Sequence, residues 1–187
     1  MTMTRCIRIV CLLLMFLAVS QKVKASDKWG RQYLPNNPVV TQHGQHLQFY
    51  DNVLKNKIVV ISFIYTSCRD ICPIITARLS QLEEKLGDVV GRDIFFVSIS
   101  IDPENDTPER IRTYLSHFDS HILGLTGTRD AIGSFSREIG AGSQAVGSGI
   151  DHSTSLFVLD PKGRLAGILL RPNDPARIVA DLTTLRH

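Results

Sequence analysis

The residues of this sequence with the clearest chemical potential are two cysteines separated by three residues. Cys68 and Cys72 enclose Arg69-Asp70-Ile71, and Pro73 follows them. An apolar, β-branched run precedes the pair and a helical pattern follows it, so both sulfurs are expected where a strand end meets a helix N-terminus. Unpaired N–H groups and the helix dipole stabilise a thiolate at such a position.

The spacing alone leaves three interpretations open: a redox dithiol, a structural disulfide and a metal site. Two soft thiolates suit Cu(I), whereas carboxylate and water ligands suit Mg²⁺ or Ca²⁺. The other two cysteines, Cys6 and Cys11, lie near the N-terminus, so the rest of the chain has one close pair and no disulfide framework. The pair therefore indicates chemistry rather than a stapled scaffold.

The first 25 residues have the pattern of an export signal. Arg5 and Arg8 precede an apolar run of eleven residues, 9–19, and small residues follow it. Eleven residues fall short of the roughly 20 that span a bilayer, which favours a signal peptide over an uncleaved N-terminal anchor. We therefore expect residues 1–25 to be one of these two, and residues 26–187 to form one domain of an exported, periplasmic protein.

The charge of the remaining chain argues against a nucleic-acid partner. The sequence has 21 Lys and Arg residues and 18 Asp and Glu residues. Four of the basic residues and none of the acidic ones lie in the first 25 positions, which leaves 17 basic against 18 acidic residues. A nearly neutral domain lacks the basic surface that binds phosphates.

The apolar periodicity of the domain alternates between that of strands and that of helices. The predicted elements are a polar lead-in with a hairpin around His43-Gly44, strand 58–65, a helix from Pro73, strand 93–101, a helix from Thr107-Pro108, a helix from Thr128 to about Ile139, a hairpin over 155–170, and a last helix capped by Asn173. Two strands joined through a helix are parallel, and the hairpin adds antiparallel strands. A cysteine pair between the first strand and the first helix of the order β-α-β-α-(α)-β-β-α predicts a thioredoxin-like α/β fold, with a central mixed sheet flanked by helices.

The residues around the pair resemble the copper-site motif of the Sco/SenC family of cytochrome oxidase assembly proteins. The similar segments are 61–73 (ISFIYTSCRDICP), 97–103 (VSISIDP) with 106–108 (DTP), 124–127 (GLTG), and 151–153 (DHS) leading to 157–161 (FVLDP). They follow the family's order over roughly residues 38–182, which is nearly the whole domain. The chain is therefore identified as similar to members of this family.

The resemblance implies a site and a function. In the family, the two motif cysteines and the histidine of the Asp-His-Ser segment bind copper, and the matching positions here are Cys68, Cys72 and His152. It implies one copper ion, as Cu(I) or Cu(II), and a metallochaperone that delivers copper to the dinuclear centre of a cytochrome c oxidase subunit. The implied partners are that subunit, a thiol reductant protein and a second copper chaperone as donor. Because such transfer breaks no bond of a small substrate, a protein with this function would not be an enzyme.

Two other functions stay open at this point. A thiol-disulfide reductase or thiol peroxidase would act through the Cys68/Cys72 dithiol alone, and a sensor would expose its disulfide state to a partner. His152 distinguishes copper binding from these two functions, because only copper binding requires it. The sequence also departs from the family at Arg69, where proline is common, and in the short stretch 139–152.

The remaining polar candidates have simpler interpretations. Asp70, beside the thiols, is a candidate for orienting their loop by accepting backbone N–H bonds. His43 and His46 form an H-x-x-H pair that we expect to be exposed rather than an auxiliary metal site. His117 and His121 are expected at the surface.

Overall fold

The computed structural model describes residues 29–141, 155–170 and 175–185. The strands are β1 (Pro38–Thr41), β2 (His46–Gln48), β3 (Ile58–Ile64), β4 (Ile94–Ser100), β5 (Leu123–Gly127), β6 (Ser155–Leu159) and β7 (Leu165–Leu170). The α-helices are α1 (Ile71–Leu86), α2 (Pro108–Leu115), α3 (Arg129–Glu138) and α4 (Pro175–Thr184). Short 3₁₀ turns span Gly30–Gln32 and Gly87–Val89, and a π-helical turn spans Phe49–Leu54.

The strands form one mixed sheet in the order β2-β1-β5-β4-β3-β6-β7. Its centre is parallel, since β3 pairs with β4 and β4 pairs with β5 in the same direction. All seven residues of β3 are buried, as expected of a central strand covered on both faces. The predicted strands 58–65 and 93–101 and the mixed sheet are therefore confirmed.

The pairing of β6 with β3 determines what lies near the cysteines. These strands are antiparallel, with Ile61 opposite Phe157 and Val59 opposite Leu159. Ser155, the first residue of β6, therefore lies at the edge of the sheet where β3 ends and the chain turns towards Cys68. The residue predicted as the third copper ligand, His152, lies outside the described residues.

Threonine caps begin two of the helices, at the residues where the sequence predicts these helices to start. The hydroxyl of Thr107 accepts a hydrogen bond from the backbone N–H of Arg110 at 3.3 Å. The hydroxyl of Thr128 likewise accepts from the N–H of Ala131 at 3.2 Å. Each bond satisfies one of the unpaired donors of a first helical turn. The predicted cap of the last helix, Asn173, is outside the described part of the chain.

The predicted order of elements is wrong in omitting β5. This strand has the sequence Leu-Gly-Leu-Thr-Gly. The sequence pattern does not indicate a strand here, because glycine has low strand propensity. Packing requires Gly124, since a Cβ there would lie 2.7 Å from Cδ1 of Leu115 and would also clash with Ile111. The glycine thus lets α2 approach the sheet closely. The predicted lead-in hairpin is present as β1 and β2.

Helices cover the sheet on both faces and create two apolar clusters. The first cluster lies under α1, α2 and α4 and includes Cys68 and Cys72 among its buried members. The second lies under α3 and the N-terminal turns. Within the three described ranges, no helix is both long and apolar enough to cross a membrane.

Candidate metal and dithiol site

The two cysteines lie at the junction of β3 and α1, inside the first apolar cluster. Cys68 is 6% exposed and Cys72 is 4% exposed, and both are free thiols. The backbone N–H of Cys68 donates to the carbonyl of Tyr65 at 3.1 Å, which closes a turn directly after β3. This turn places the first sulfur just ahead of the helix, and Cys72 falls in the first turn of α1.

The sulfur of Cys68 acts as an acceptor at the start of α1. The backbone N–H of Cys72 donates to Cys68 Sγ at 3.4 Å. Asp70 precedes the helix, but its side chain makes no capping hydrogen bond and is exposed. The sulfur therefore takes the place that a capping oxygen usually holds, where N–H donors favour a negatively charged acceptor.

Hydrogen bonding favours the thiolate form of Cys68. Burial alone would raise the pKa of Cys68, but hydrogen bonds from the thiol and the backbone N–H of Cys72 oppose it. The backbone N–H of Asp70 and the Tyr65 hydroxyl lower the pKa further, so that it lies below the ordinary cysteine value. Cys68 is therefore the more reactive of the two sulfurs.

Cys72 has the opposite character. Burial raises the pKa of Cys72 to about 12, and its hydrogen bond to Cys68 acts in the same direction. Negative charge on Cys68 and on Asp106 raises it as well. The dithiol is thus asymmetric, with a thiolate-prone Cys68 that accepts a hydrogen bond from a protonated Cys72.

A buried carboxylate, Asp106, holds the turn that precedes Cys68. It is 1% exposed, and its Oδ2 accepts from the backbone N–H of Thr66 at 3.0 Å and from the hydroxyl of Ser100 at 2.6 Å. The loop-orienting role that the sequence suggested for Asp70 therefore belongs to Asp106. The sequence places Asp106 in the family-like Asp-Thr-Pro segment, but nothing in it indicates that this carboxylate contacts the cysteine loop.

A second network anchors the other side of the dithiol. The hydroxyl of Thr76 donates to the carbonyl of Cys72 at 2.9 Å. Because its one proton is used there, it accepts from the Tyr114 hydroxyl, also at 2.9 Å. Burial raises the pKa of Tyr114 to about 12, so this donor stays protonated. The chain of two bonds ties α1 to α2 directly behind the sulfurs.

The structure brings together two of the three predicted metal ligands, Cys68 and Cys72. Across the described ranges, no cluster of three or more His, Cys, Asp or Glu side chains could hold a metal ion. The other histidines within these ranges are all exposed, which agrees with the sequence-based interpretation: His43, His46, His117 and His121.

A mixed sheet with a dithiol between a central strand and the following helix defines a thioredoxin-like protein. The family model described as SCO1/SenC matches residues 35–187. The chain therefore belongs to the SCO1/SenC family.

Three comparisons illustrate this relationship. The chain is 34% identical over 136 residues to the mitochondrial protein SCO2 of Saccharomyces cerevisiae, which covers 67% of this chain and 44% of SCO2. The structure of Bradyrhizobium japonicum ScoI with copper bound is similar with a TM-score of 0.67 and 28% identity, over 81% of this chain and 99% of that one. BsSco, described as a member of the Sco family of cytochrome c oxidase assembly proteins, has a TM-score of 0.68 over 82% of this chain and 94% of its own. At 23% identity the BsSco comparison supports the fold alone. The chain spans about half the length of the fungal relatives that it matches.

Proposed function

We propose that this protein is a copper metallochaperone. It binds one copper ion, as Cu(I) or Cu(II), through Cys68, Cys72 and His152, and delivers it to the dinuclear copper centre of a cytochrome c oxidase subunit. The observation that carries the proposal is the pair of buried sulfurs at the junction of β3 and α1, in a chain that belongs to the SCO1/SenC family. The copper-bound structure of the similar ScoI supports the choice of metal.

The donor set described above fits copper. Two soft sulfurs in an apolar surrounding suit Cu(I) better than any hard divalent cation. Thiolates are the metal-binding form of cysteine, so binding must release the proton that Cys72 holds with a pKa of about 12. The affinity for Cu(I) should therefore rise with pH, since protons compete with the metal at this sulfur.

The position of β6 supports His152 as the third ligand. Ser155 begins β6 at the same sheet edge as the end of β3, and His152 lies three positions before it in the sequence. A short connection can therefore present an imidazole to the cysteines. Imidazole with two thiolates makes a three-coordinate Cu(I) site and leaves room for a further weak ligand on Cu(II).

Delivery would proceed by ligand exchange with thiols of the acceptor. We place the protein in the periplasm, exported by residues 1–25, with retention of that segment as a membrane anchor as the second possibility. Because disulfides persist in such a compartment, a thiol reductant protein must keep Cys68 and Cys72 reduced. A second copper chaperone would supply the metal.

An anaerobic Cu(I) titration of the reduced full chain against a competing chelator tests the site. One ion should bind per chain, and the affinity should fall sharply in Cys72→Ser and in His152→Ala. His43→Ala is the matched control, because His43 is exposed in the turn between β1 and β2 and is not a proposed ligand. Binding that is indifferent to His152, or equal losses in both histidine variants, would remove the three-ligand site.

The asymmetry of the two thiols favours a second candidate function, thiol-disulfide reduction of the acceptor. The Cys68 thiolate would attack one sulfur of an acceptor disulfide, forming a mixed disulfide and releasing the other acceptor sulfur as a thiolate. Cys72, after losing its proton, would then attack Cys68, so that a Cys68–Cys72 disulfide forms and the acceptor leaves as a dithiol. This activity should disappear in Cys68→Ser and persist in His152→Ala, whereas copper binding should be weakened in both variants.

A further inference from the structure

Cys68 opens into a groove that the dithiol chemistry does not itself require. The groove has a volume of about 660 Å³ and lies between the start of α1 and α2. Pockets of about 300–1,000 Å³ accept ligands of drug size, so the groove can hold a few side chains of a partner. Its walls include Cys68, Arg69 and Pro73 on one side and Arg110, Tyr114 and Phe118 on the other.

The groove combines an apolar floor with cationic walls. The rings of Pro73, Tyr114 and Phe118 supply the apolar surface. Ile74, the next residue after Pro73, is 49% exposed and is one of three large exposed hydrophobic side chains in the described ranges. Contiguous exposed apolar surface marks sites of protein binding.

Two guanidinium groups of the groove form no ion pair with any of the described residues. Arg69 and Arg110 are exposed, and within the described residues neither forms an ion pair. The acidic residue of the groove is Glu109, whose pKa is lowered by hydrogen bonds from its own backbone N–H and from Thr107, so its charge serves the N-terminus of α2. Asp70 is exposed but does not line the groove.

We infer that this groove is a docking site for an acidic, partly apolar segment of the protein that exchanges ligands with Cys68. The inference rests on the proposed function and adds the chemistry of the partner. The occupant must present its thiol to Cys68, which lines the groove, so the copper acceptor is the partner that fits. Arg69 and Arg110 would attract its carboxylates, and the Tyr114 and Phe118 rings would contact its apolar side chains.

Charge makes this chain itself a poor occupant. Its first 25 residues contain four basic side chains and no acidic one, so they would be repelled by the two unpaired arginines. A second copy of the chain would also bring another pair of arginines to the interface. Binding by either occupant would appear as a change in oligomeric state or as inhibition by the chain's own N-terminal peptide.

The test measures how tightly and how fast the copper-binding subunit of cytochrome c oxidase, in its copper-free and reduced form, binds to two proteins. These are the wild-type full chain and its Arg110→Glu variant. Arg110 is the third residue of α2 after the Thr107 cap, a position where glutamate is favoured, so the variant should fold. We expect the association rate at low salt to fall about tenfold, with the difference vanishing at high salt, because exposed charges act mainly on the encounter.

Two further variants make the test specific. Thr113→Glu adds a negative charge inside the groove without removing an arginine and should weaken binding in the same way. Arg137→Glu makes the same charge change on α3, across the sheet, and should alter the rate less than twofold. Binding that is equal in wild type and Arg110→Glu at low salt, or equally weakened in Arg137→Glu, overturns the docking site.

Copper delivery is measured separately, so the two proposals can fail separately. Arg110-dependent binding without copper transfer would leave the docking site in place and remove the chaperone function. Copper transfer together with binding that Arg110→Glu does not weaken would remove the docking site and leave the chaperone function in place. Absence of any binding by the wild-type chain would overturn the docking site for this acceptor.

Discussion

The hydroxyl of Thr66 lies 2.5 Å from Oδ1 of Asp106, across 40 residues of sequence. The same carboxylate also accepts the backbone N–H of Thr66 and the hydroxyl of Ser100. Asp106 is almost fully buried, and all three donors point at it. It thereby joins the end of β4 to the turn that carries Cys68, so the position of the first sulfur depends on a residue that does not touch it.

Replacing Asp106 should loosen this turn and lower stability. Asp106→Asn keeps the size of the side chain but offers an NH₂ group where a donor now binds, and should cost about 1–3 kcal/mol in the free energy of unfolding. Asp106→Ala should cost more, because it leaves buried donors unpaired. Denaturant unfolding measures both, and Thr66→Val, which removes only the hydroxyl, is the smaller control change. The affinity for Cu(I) should fall with stability; an unchanged affinity in Asp106→Ala would show that the sulfur does not depend on this carboxylate.

The two cysteines should differ in reactivity towards an alkylating reagent. Cys68 should react with iodoacetamide with a pH midpoint below that of an ordinary cysteine, since hydrogen bonds lower its pKa. Cys72 should react slowly up to about pH 11, because its pKa is about 12. Mass spectrometry of the native, reduced chain separates the two sites, and the urea-unfolded chain is the control in which both should react alike. Equal native rates would contradict the asymmetry.

A buried carboxyl on α1 should make stability depend on pH. Glu83 is 6% exposed; its Oε2 accepts the backbone N–H of His121 at 2.8 Å, while Oε1 has no partner among the described residues. Burial raises the pKa of Glu83 above its ordinary value of 4.5. The folded chain therefore holds this proton more tightly than the unfolded chain, and stability is lost as the pH rises from about 4.5 through the folded pKa.

Glu83→Gln should remove this loss. Relative to wild type, the variant should gain stability as the pH rises from 4 to 8, by about 1–3 kcal/mol, the cost of a buried polar group without a partner. Glu84→Gln is the matched control, because Glu84 is the exposed neighbour and its replacement should leave the pH profile unchanged. Parallel profiles of wild type and Glu83→Gln would mean that the carboxyl is already solvated.

Gly124 should be intolerant of any side chain. A Cβ at this position would lie 2.7 Å from Leu115 and clash with Ile111 on α2, so Gly124→Ala should cost about 1–3 kcal/mol in unfolding free energy through overpacking. Thermal unfolding compares it with Gly167→Ala in β7, where a Cβ would meet nothing within 4 Å. A neutral Gly124→Ala would show that α2 can move away from β5 at little cost.

The sequence by itself determined the elements whose signals are local. The β-branched run of β3, the threonine caps of α2 and α3, and the cysteine pair between strand and helix all depend on neighbouring residues, so they can be recognised without knowing the fold. The order of these elements around the cysteine pair predicted the thioredoxin-like architecture, and the family-like segments then implied the copper ligands. Of these ligands, His152 remains a prediction.

The tertiary structure decided what depends on contacts between distant segments. β5 has no local strand signal and forms because β4 and β1 pair with it and its glycines admit α2. The choice of Asp106 over Asp70 as the support of the cysteine turn follows from the register of β3 and β4, which brings Ile64 beside Ser100. The groove likewise exists only because α2 packs beside the start of α1. Sequence spacing does not indicate such distances, because they arise only when the parallel strands align and the helices pack on them.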